Sequence, residues 1–471
     1  MREIPGLPPG PSFLPLVGNV IDMSWTYRKR KHKYFEEMEK KFGPVYRLYF
    51  GRQLLILFND VESVKEALVE KRDIFTDRPS EAFWVAQQIV KHGAGIVWSN
   101  GQHWESTRRT ALQTLRDLGV GKQSIEEKIL EETEYMLTEI TRLHRKPLHL
   151  DKLMAKGASN VISTVVFGKR FDYDDPEFNK ILSFIKMTFD AEGPISPLNM
   201  LPQIRFLPYI SAMIENCWLM IDEINVFLSK TIDEHKKTLN KENPGDFIDV
   251  GLTTIANSKT TTLTDGVLMC TILDLFIAGS DTTATTLDWA FLYLIHKPDV
   301  QTKCQKEIEN VVGFGRRVKW ADKPTLVYCA ATLMEVQRFS TVAIASLPHT
   351  ATEDTEIKGF LIPRGSIVFA DIRAIHYDEN LWENPREFNP ERFIDGDGKI
   401  IQNSNLLPFS LGPRICPGAS LAKMELFLMF CNILQRYSFS KTDDTELDLD
   451  GVSGITLSPK PYTLHAKPRC L

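Results

Sequence analysis

This chain of 471 residues lacks paired cysteines, a membrane-length apolar run, a dominant charge and a nucleotide fingerprint. Its seven cysteines (Cys217, Cys270, Cys304, Cys329, Cys416, Cys431 and Cys470) are odd in number and form no C-x-x-C pair. That usage fits a reducing compartment, excludes a disulfide framework, and leaves Cys416 without a neighbour to complete a zinc or iron–sulfur site. No apolar run reaches the roughly 18 residues that a spanning helix needs. The longest candidates, Val267–Gly279, broken by Asp274, and Met424–Leu434, read as core helices. Lys and Arg total 56 against 61 Asp and Glu, a net charge of −5, so no overall field favours nucleic acid. Gly313-Phe-Gly315 is too short for a dinucleotide fingerprint and follows no strand, so this chain is not expected to bind nicotinamide or flavin itself. Internal repeats and low-complexity segments are also absent, and the Asp-rich stretch Asp443–Asp450 reads as a solvated loop.

What is present centres on Phe409-Ser-Leu-Gly412-Pro-Arg414-Ile-Cys416-Pro-Gly418, with an apolar helical pattern opening at Ala419 and Leu421. A cysteine in a Gly- and Pro-punctuated loop at the start of a helix suits a thiolate offered to a metal. The helix N-terminus and the metal both favour deprotonated sulfur. Gly412 and Gly418, lacking Cβ, are expected to let backbone pass close to a flat ligand. Arg414 offers a positive fork suited to a carboxylate. The competing reading is a buried structural cysteine.

Along the chain, Val45–Phe50 and Leu54–Phe58 flank Gly51-Arg52-Gln53 and predict a hairpin, followed by a capped helix over Val61–Glu70. Phe75-Thr-Asp-Arg78-Pro79 predicts an extended or turn conformation at Arg78. Trp104 and Arg108 share a helix face at i, i+4, and both are pure donors matched to an acceptor-only carboxylate. A core Trp beside a surface Arg is the alternative. Helical periodicity runs through Ile125–His144. Ile195–Ile210 is apolar but broken by three prolines: a buried connection, or an exposed lid. The longest helix is expected from Thr264-Asp265 to about His296, continuous but locally distorted at Ala278-Gly279-Ser280-Asp281-Thr282-Thr283, where small residues would admit a ligand. Glu335 and Arg338 pair at i, i+3 upstream of Pro390-Glu-Arg392-Phe393. His349 opens a strand-rich region. Pro5-Gly-Leu-Pro8-Pro9-Gly10-Pro11 reads as a stiff, hinge-like segment.

The pattern F-x-x-G-x-R-x-C-x-G resembles the haem-binding loop of the cytochrome P-450 superfamily. W-x-x-x-R, A-G-S-D-T-T, E-x-x-R and P-E-R-F precede it in the family's order. Thr110–Glu127 and Phe167–Asp175 are similar to the animal microsomal family 2. Pro413 and Ala419 depart from that family, whose members often carry a basic and an acidic residue there. The resemblance implies one catalytic haem domain over residues 1–471. Its expected fold is mainly α with small β-sheets, with haem b between the long helix and the Cys loop.

The resemblance further implies Cys416 as the metal ligand, Arg78, Trp104, Arg108, His349 and Arg414 around the cofactor, and Glu335, Arg338 and Arg392 as structural support. Asp281 and Thr282 would deliver protons for oxygen activation, and O2 would be inserted into a lipophilic fatty acid, steroid or xenobiotic. Substrate contacts are nominated at Val97, Trp98, Asp274, Ile277, Ala278, Ala343, Leu347 and Ile455. Asp274 is either an anchor for a cation or hydroxyl or a group bonded within the protein. Electrons would come from NADPH through a flavoprotein reductase, with a cytochrome b-type protein as a second donor. Arg109, Arg116 and Lys122 are nominated as its docking contacts. The implied location is the cytosolic face of the endoplasmic reticulum membrane. The Pro-rich segment follows a membrane anchor in microsomal members. The expectation is therefore that an anchor is missing here, leaving a soluble or peripheral chain, or that Met1 is not the native start. The rival readings are a haem-thiolate isomerase or dehydratase acting on a peroxide without external electrons, and a non-catalytic haem sensor.

Overall fold

Two mostly apolar and aromatic runs, β1 (Val45–Phe50) and β2 (Gln53–Phe58), pair in the expected hairpin and are largely buried. Its turn is two residues rather than three: Gly51 sits at φ +59°, the positive φ a primed turn requires, and Gln53 joins the strand. The computed structural model describes residues 5–23, 27, 30–83, 87, 94–121, 123–143, 146–190, 197–200, 202–257, 263–442 and 446–469. Of the sequence-nominated residues, Lys122, His144 and Cys470 lie outside these, as do 195, 196, 201 and 443–445.

After the hairpin, Asp60 caps α1 (Val61–Lys65) by accepting the Ser63 N–H at 2.8 Å, and the helix continues as one π-helical turn over Glu66–Glu70. The strands β3 (His349–Thr350) and β4 (Ile367–Ala370) complete a four-stranded sheet in the order β1–β2–β4–β3. Only the β2–β4 pair is parallel. Three two-stranded sheets complete the described strands, and the helices that matter for the site are α2 (Gly101–Asp117), α3 (Gln123–Leu143), α4 (Leu150–Val166), α5 (Pro176–Asp190), α6 (Pro208–Thr238), α7 (Asp265–His296), α8 (Val327–Ser340) and α9 (Ala419–Arg436). Mainly α with small sheets is the class that the family resemblance implies.

The long helix α7 matches its expected bounds. Thr264 caps it by accepting the Val267 N–H at 3.3 Å, and Lys297 closes it before Pro298. Apolar residues on all sides, from Leu268 to Ile295, place it inside the core, with α4 packed alongside. Among the described helices it alone has the length and composition to cross a bilayer, but here it is an interior element. The expected distortion is not present in its main chain, which stays α-helical across Ala278–Thr283. The local polar groups turn inward instead: the hydroxyls of Ser280, Thr282 and Thr286 donate to the carbonyls of Phe276, Ala278 and Thr282 at 2.7–2.8 Å.

Two other expectations change. The Pro-rich segment is docked rather than hinge-like: Pro9 and Gly6 carbonyls accept the N–H groups of Arg47 and Leu361, each at 2.8 Å. A Cβ on Gly10 would lie 2.3 Å from the Arg47 carbonyl oxygen, so close approach explains that glycine. In the stretch around 195–210, Pro197, Pro202 and Pro208 each open a helical turn, where a missing N–H is harmless. Phe206, Leu207 and Tyr209 are exposed, so this is not a buried connection.

Candidate active site

The Cys loop, α7, the segment 94–100 and the turn at Ile455 enclose one cavity of about 1280 Å³. All eight residues nominated for substrate contact, from Val97 to Ile455, line it, and so do Cys416 and Thr282. Local geometry builds the thiol end. Gly418 precedes α9, and the amides of Gly418 and Ala419 donate to the Cys416 sulfur. Burial nevertheless dominates and pushes the Cys416 thiol up, against those amides and Arg108. The helix N-terminus therefore works against burial at this sulfur, and a bound metal cation would favour the thiolate further.

Gly412 has a different reason from the one its sequence implied. It sits at φ +76°, and a Cβ there would meet the Leu68 carbonyl oxygen at 2.1 Å. The close approach is to the π-helical turn, not to a flat ligand.

Beside the thiol lie Arg78, Arg108, Arg414 and His349, all in the cavity wall. None of the three guanidinium groups forms a salt bridge among the described residues. Burial lowers the pKa of each, to about 9 for Arg78 and about 8 for Arg414, and mutual repulsion adds to it for those two. Buried cations without counter-charge are costly. The Nε of Arg78 and the Nε1 of Trp104 are moreover buried donors without an acceptor among the described residues. Such a wall is built for an anionic, acceptor-rich ligand.

Arg414 is turned largely to the protein. It donates to the carbonyls of Thr76, Ile96 and Ser99 at 2.9, 3.0 and 2.6 Å, and it stacks over Trp104 with 3.9 Å to the ring centroid. His349 is paired through Nδ1 with the Phe75 carbonyl at 2.7 Å, and burial holds its pKa far below the usual value. A neutral ring so paired has no proton on Nε2. A carboxylate alongside would draw one there.

On the far wall, Thr282 lines the cavity while Asp281 does not. Asp281 turns to the C-terminal turn, accepting from Thr456 at 2.9 Å and from Thr285 at 3.4 Å, and burial raises its pKa to about 6. Asp274 is bonded within the protein: its Oδ2 accepts the N–H groups of Ile96 and Val97. Glu335, Arg338 and Arg392 come together away from the cavity. Arg338 binds both Glu335 oxygens at 2.7 and 2.8 Å, Arg392 approaches at 3.1 Å, and the Asn389 amide adds 2.9 Å.

A family profile described as cytochrome P450 matches residues 8–466. The chain belongs to the cytochrome P450 family. It is 35 % identical to cytochrome P450 2U1 of Bos taurus, with 98 % of this chain and 90 % of that protein aligned. It is likewise 35 % identical to cytochrome P450 2B4 of Oryctolagus cuniculus (98 % and 93 % aligned) and 36 % identical to cytochrome P450 2F2 of Mus musculus (97 % and 93 %). As a cytochrome P450 it is an oxidoreductase of the haem-thiolate monooxygenase class, with a cysteine thiolate on iron and O2 as co-substrate. The wall described above fits a haem: a thiol at a helix start, and cations that form no salt bridge among the described residues, with donors left over for its two carboxylates.

Sequence reasoning missed much of this P450 cavity's wall. Phe184 and Phe189 of α5, Trp218 and Ile221 of α6, and Met269 and Leu273 of α7 all line it. Their helical periodicity marks a buried face, but a face toward core and a face toward a cavity have the same signature.

Proposed function

We propose that Cys416 would hold the iron of a haem b as its thiolate ligand, and that Arg78, Trp104 and Arg108 would hold the haem carboxylates, with His349 and Arg414 behind them. The observation carrying this reading is the set of buried guanidinium groups that form no salt bridge among the described residues, beside a cysteine at a helix start, all in one cavity. When bound, such a haem supplies reductive activation of O2 and insertion of one oxygen atom into a C–H bond. The residues of this chain do the rest. Thr282, its own proton given to the Ala278 carbonyl, presents oxygen lone pairs to the cavity and can order a water there. Asp281, a carboxyl with its pKa raised to about 6, stores and hands over protons from outside the cavity wall. The mostly apolar lining excludes bulk water and orients a lipophilic substrate of the fatty acid, steroid or xenobiotic kind.

Electrons are taken from NADPH through a flavoprotein reductase, with a cytochrome b-type protein as second donor. Exposed Phe206, Leu207 and Tyr209 support a membrane-facing edge, consistent with residence on the cytosolic face of the endoplasmic reticulum.

The test is Thr282→Ala, scored for NADPH consumed, hydrogen peroxide formed and hydroxylated product together, with a lipophile chosen by its haem spin-state shift. Alanine suits a helix better than threonine, so folding and haem binding are expected to persist. NADPH is still consumed, and a larger share ends as peroxide. Unchanged coupling sinks the Thr282 role, and full product formation without NADPH favours a peroxide isomerase or dehydratase.

A further inference from the structure

Asp288 is a buried acid that the chemistry above does not use. It lies on α7 two turns beyond Asp281, is 6 % exposed, and its Oδ1 has no hydrogen-bond partner among the described residues. Residues at i, i+4 and i+7 share one helix face, so Asp281, Thr285 and Asp288 form a ladder along one side of α7. One end is already joined: Thr285 Oγ1 donates to Asp281 Oδ2 at 3.4 Å. At the other end the Tyr462 hydroxyl donates to the Asp288 carbonyl at 2.9 Å and also reaches its carboxyl. Charged groups facing Asp288 from other elements are Asp151 of α4 and Lys186 of α5; Lys186 and Asp190 face Asp281.

An ionisable group with one carboxyl oxygen left unpaired is costly in a core, where an amide or apolar side chain would serve better. Burial pushes the Asp288 carboxyl up to about 7, which suits a group that exchanges protons near neutrality. Its position gives the exchange a purpose. Asp281 does not line the cavity itself, so a donor on its own face of α7 can supply it without opening the cavity to water.

We propose that Asp288 is a positioning residue for proton supply, reloading Asp281 through the Thr285 hydroxyl. The proposal rests on the reading of Asp281 as the proton store and of Thr282 as the residue that orders water in the cavity. In the step, the Asp288 acid releases its proton to a water, which protonates Thr285 Oγ1 while the original Thr285 hydroxyl proton passes to the Asp281 carboxylate. Asp288 is left as carboxylate, Asp281 as acid, and Thr285 and the water are unchanged; no electrons move. One water suffices because three helical residues rise about 4.5 Å. Solvent recharges Asp288 past Tyr462 on the Asp151 side.

The experiment uses the full chain loaded with haem, as wild type, Asp288→Asn, Asp288→Glu, Thr285→Val and Thr282→Ala. The peroxide share of NADPH consumed is followed across neutral pH, and thermal unfolding is followed from about pH 4 to about 8 without turnover. In wild type the peroxide share is expected to rise as pH passes upward through about 7, where Asp288 loses its proton. Asp288→Asn holds the high, alkaline value at every pH, several-fold above wild type on the acid side, and Asp288→Glu restores the pH dependence. Thr285→Val, which keeps the acid and removes the wire, behaves as Asp288→Asn and keeps the test alive if the asparagine variant folds poorly.

Unfolding supplies the readout independent of activity. The folded wild type holds a proton that the unfolded chain releases near pH 4, so its stability falls as pH rises toward 7, and Asp288→Asn flattens that fall. A flattened stability profile with an unchanged coupling profile overturns the proposal, as does an unchanged coupling profile in Thr285→Val. If Thr282→Ala uncouples and Asp288→Asn does not, only this inference fails. If Thr282→Ala itself stays coupled, the underlying reading fails first.

Discussion

The N–H of Ile96 reaches Asp274 Oδ2 at 2.7 Å, while the carbonyl of the same Ile96 receives Arg414 Nη1 at 3.0 Å. One loop residue is thus held by the long helix on one side and by the Cys loop on the other. The segment 94–100 acts as a strap between the two walls that enclose the cavity.

Asp274 is the releasable end of that strap. Burial raises its pKa to about 6, against about 4 for an unfolded aspartate. The folded state therefore keeps a proton that the unfolded state loses, and stability falls as pH rises from about 4 to 6 and stays level above. Asp274→Asn keeps an acceptor for both amides and removes the buried charge. Its stability relative to wild type should rise across that window by at most about 3 kcal/mol, less if water in the cavity screens the charge. Asp274→Ala leaves the Ile96 and Val97 N–H groups without an acceptor and should cost about 2–4 kcal/mol. Denaturant titrations on both sides of the window measure each. A wild type and an Asp274→Asn with parallel pH profiles would refute the assigned shift.

Glu335 should be far less replaceable than its surface-like E-x-x-R motif implies. Both it and Arg338 are fully buried, and Arg338 also donates to the carbonyls of His376 and Pro385 at 2.7 and 2.9 Å. Glu335→Ala leaves Arg338 and Arg392 as uncompensated buried cations, at a cost of about 3–5 kcal/mol. Chemical denaturation and retained haem per chain report the loss. A change below about 1 kcal/mol would mean the cluster is not the support assigned here.

Cys416→His should remove the red-shifted Soret band of the reduced carbon monoxide complex while haem is retained, because imidazole replaces thiolate. Cys431→Ser, in the buried middle of α9, should leave that band in place. The reverse pattern would move the ligand elsewhere.

Arg109 and Arg116 are exposed on α2, the helix that carries Trp104 and Arg108, and suit an acidic partner surface. Reversing both charges, together with Lys122, should slow electron transfer from the reductase with folding intact, and the deficit should shrink as salt is added. Equal rates at low salt would place the docking surface on another face.

The sequence by itself determined the local elements and the order of the chemistry. The hairpin, the capped helix at Asp60, the bounds of α7, the Glu335–Arg338 spacing and the cysteine at a helix start are each written in short-range periodicity, caps and turn residues. Only the tertiary structure decided what those groups face. Asp274 and Ile96 are 178 positions apart, and Arg414 and Ile96 are 318 apart, so no spacing rule distinguishes a substrate anchor from a loop latch. Gly412 was legible as a glycine that something approaches closely, but not that the neighbour is the Leu68 carbonyl. Asp288 sat unnoticed in the α7 pattern, since an acid on a helix reads as solvated until packing buries it. Periodicity reports which residues share a face. Desolvation, counter-charge and hydrogen-bond supply depend on what packs against that face, and they set the protonation and reach of every group in the site.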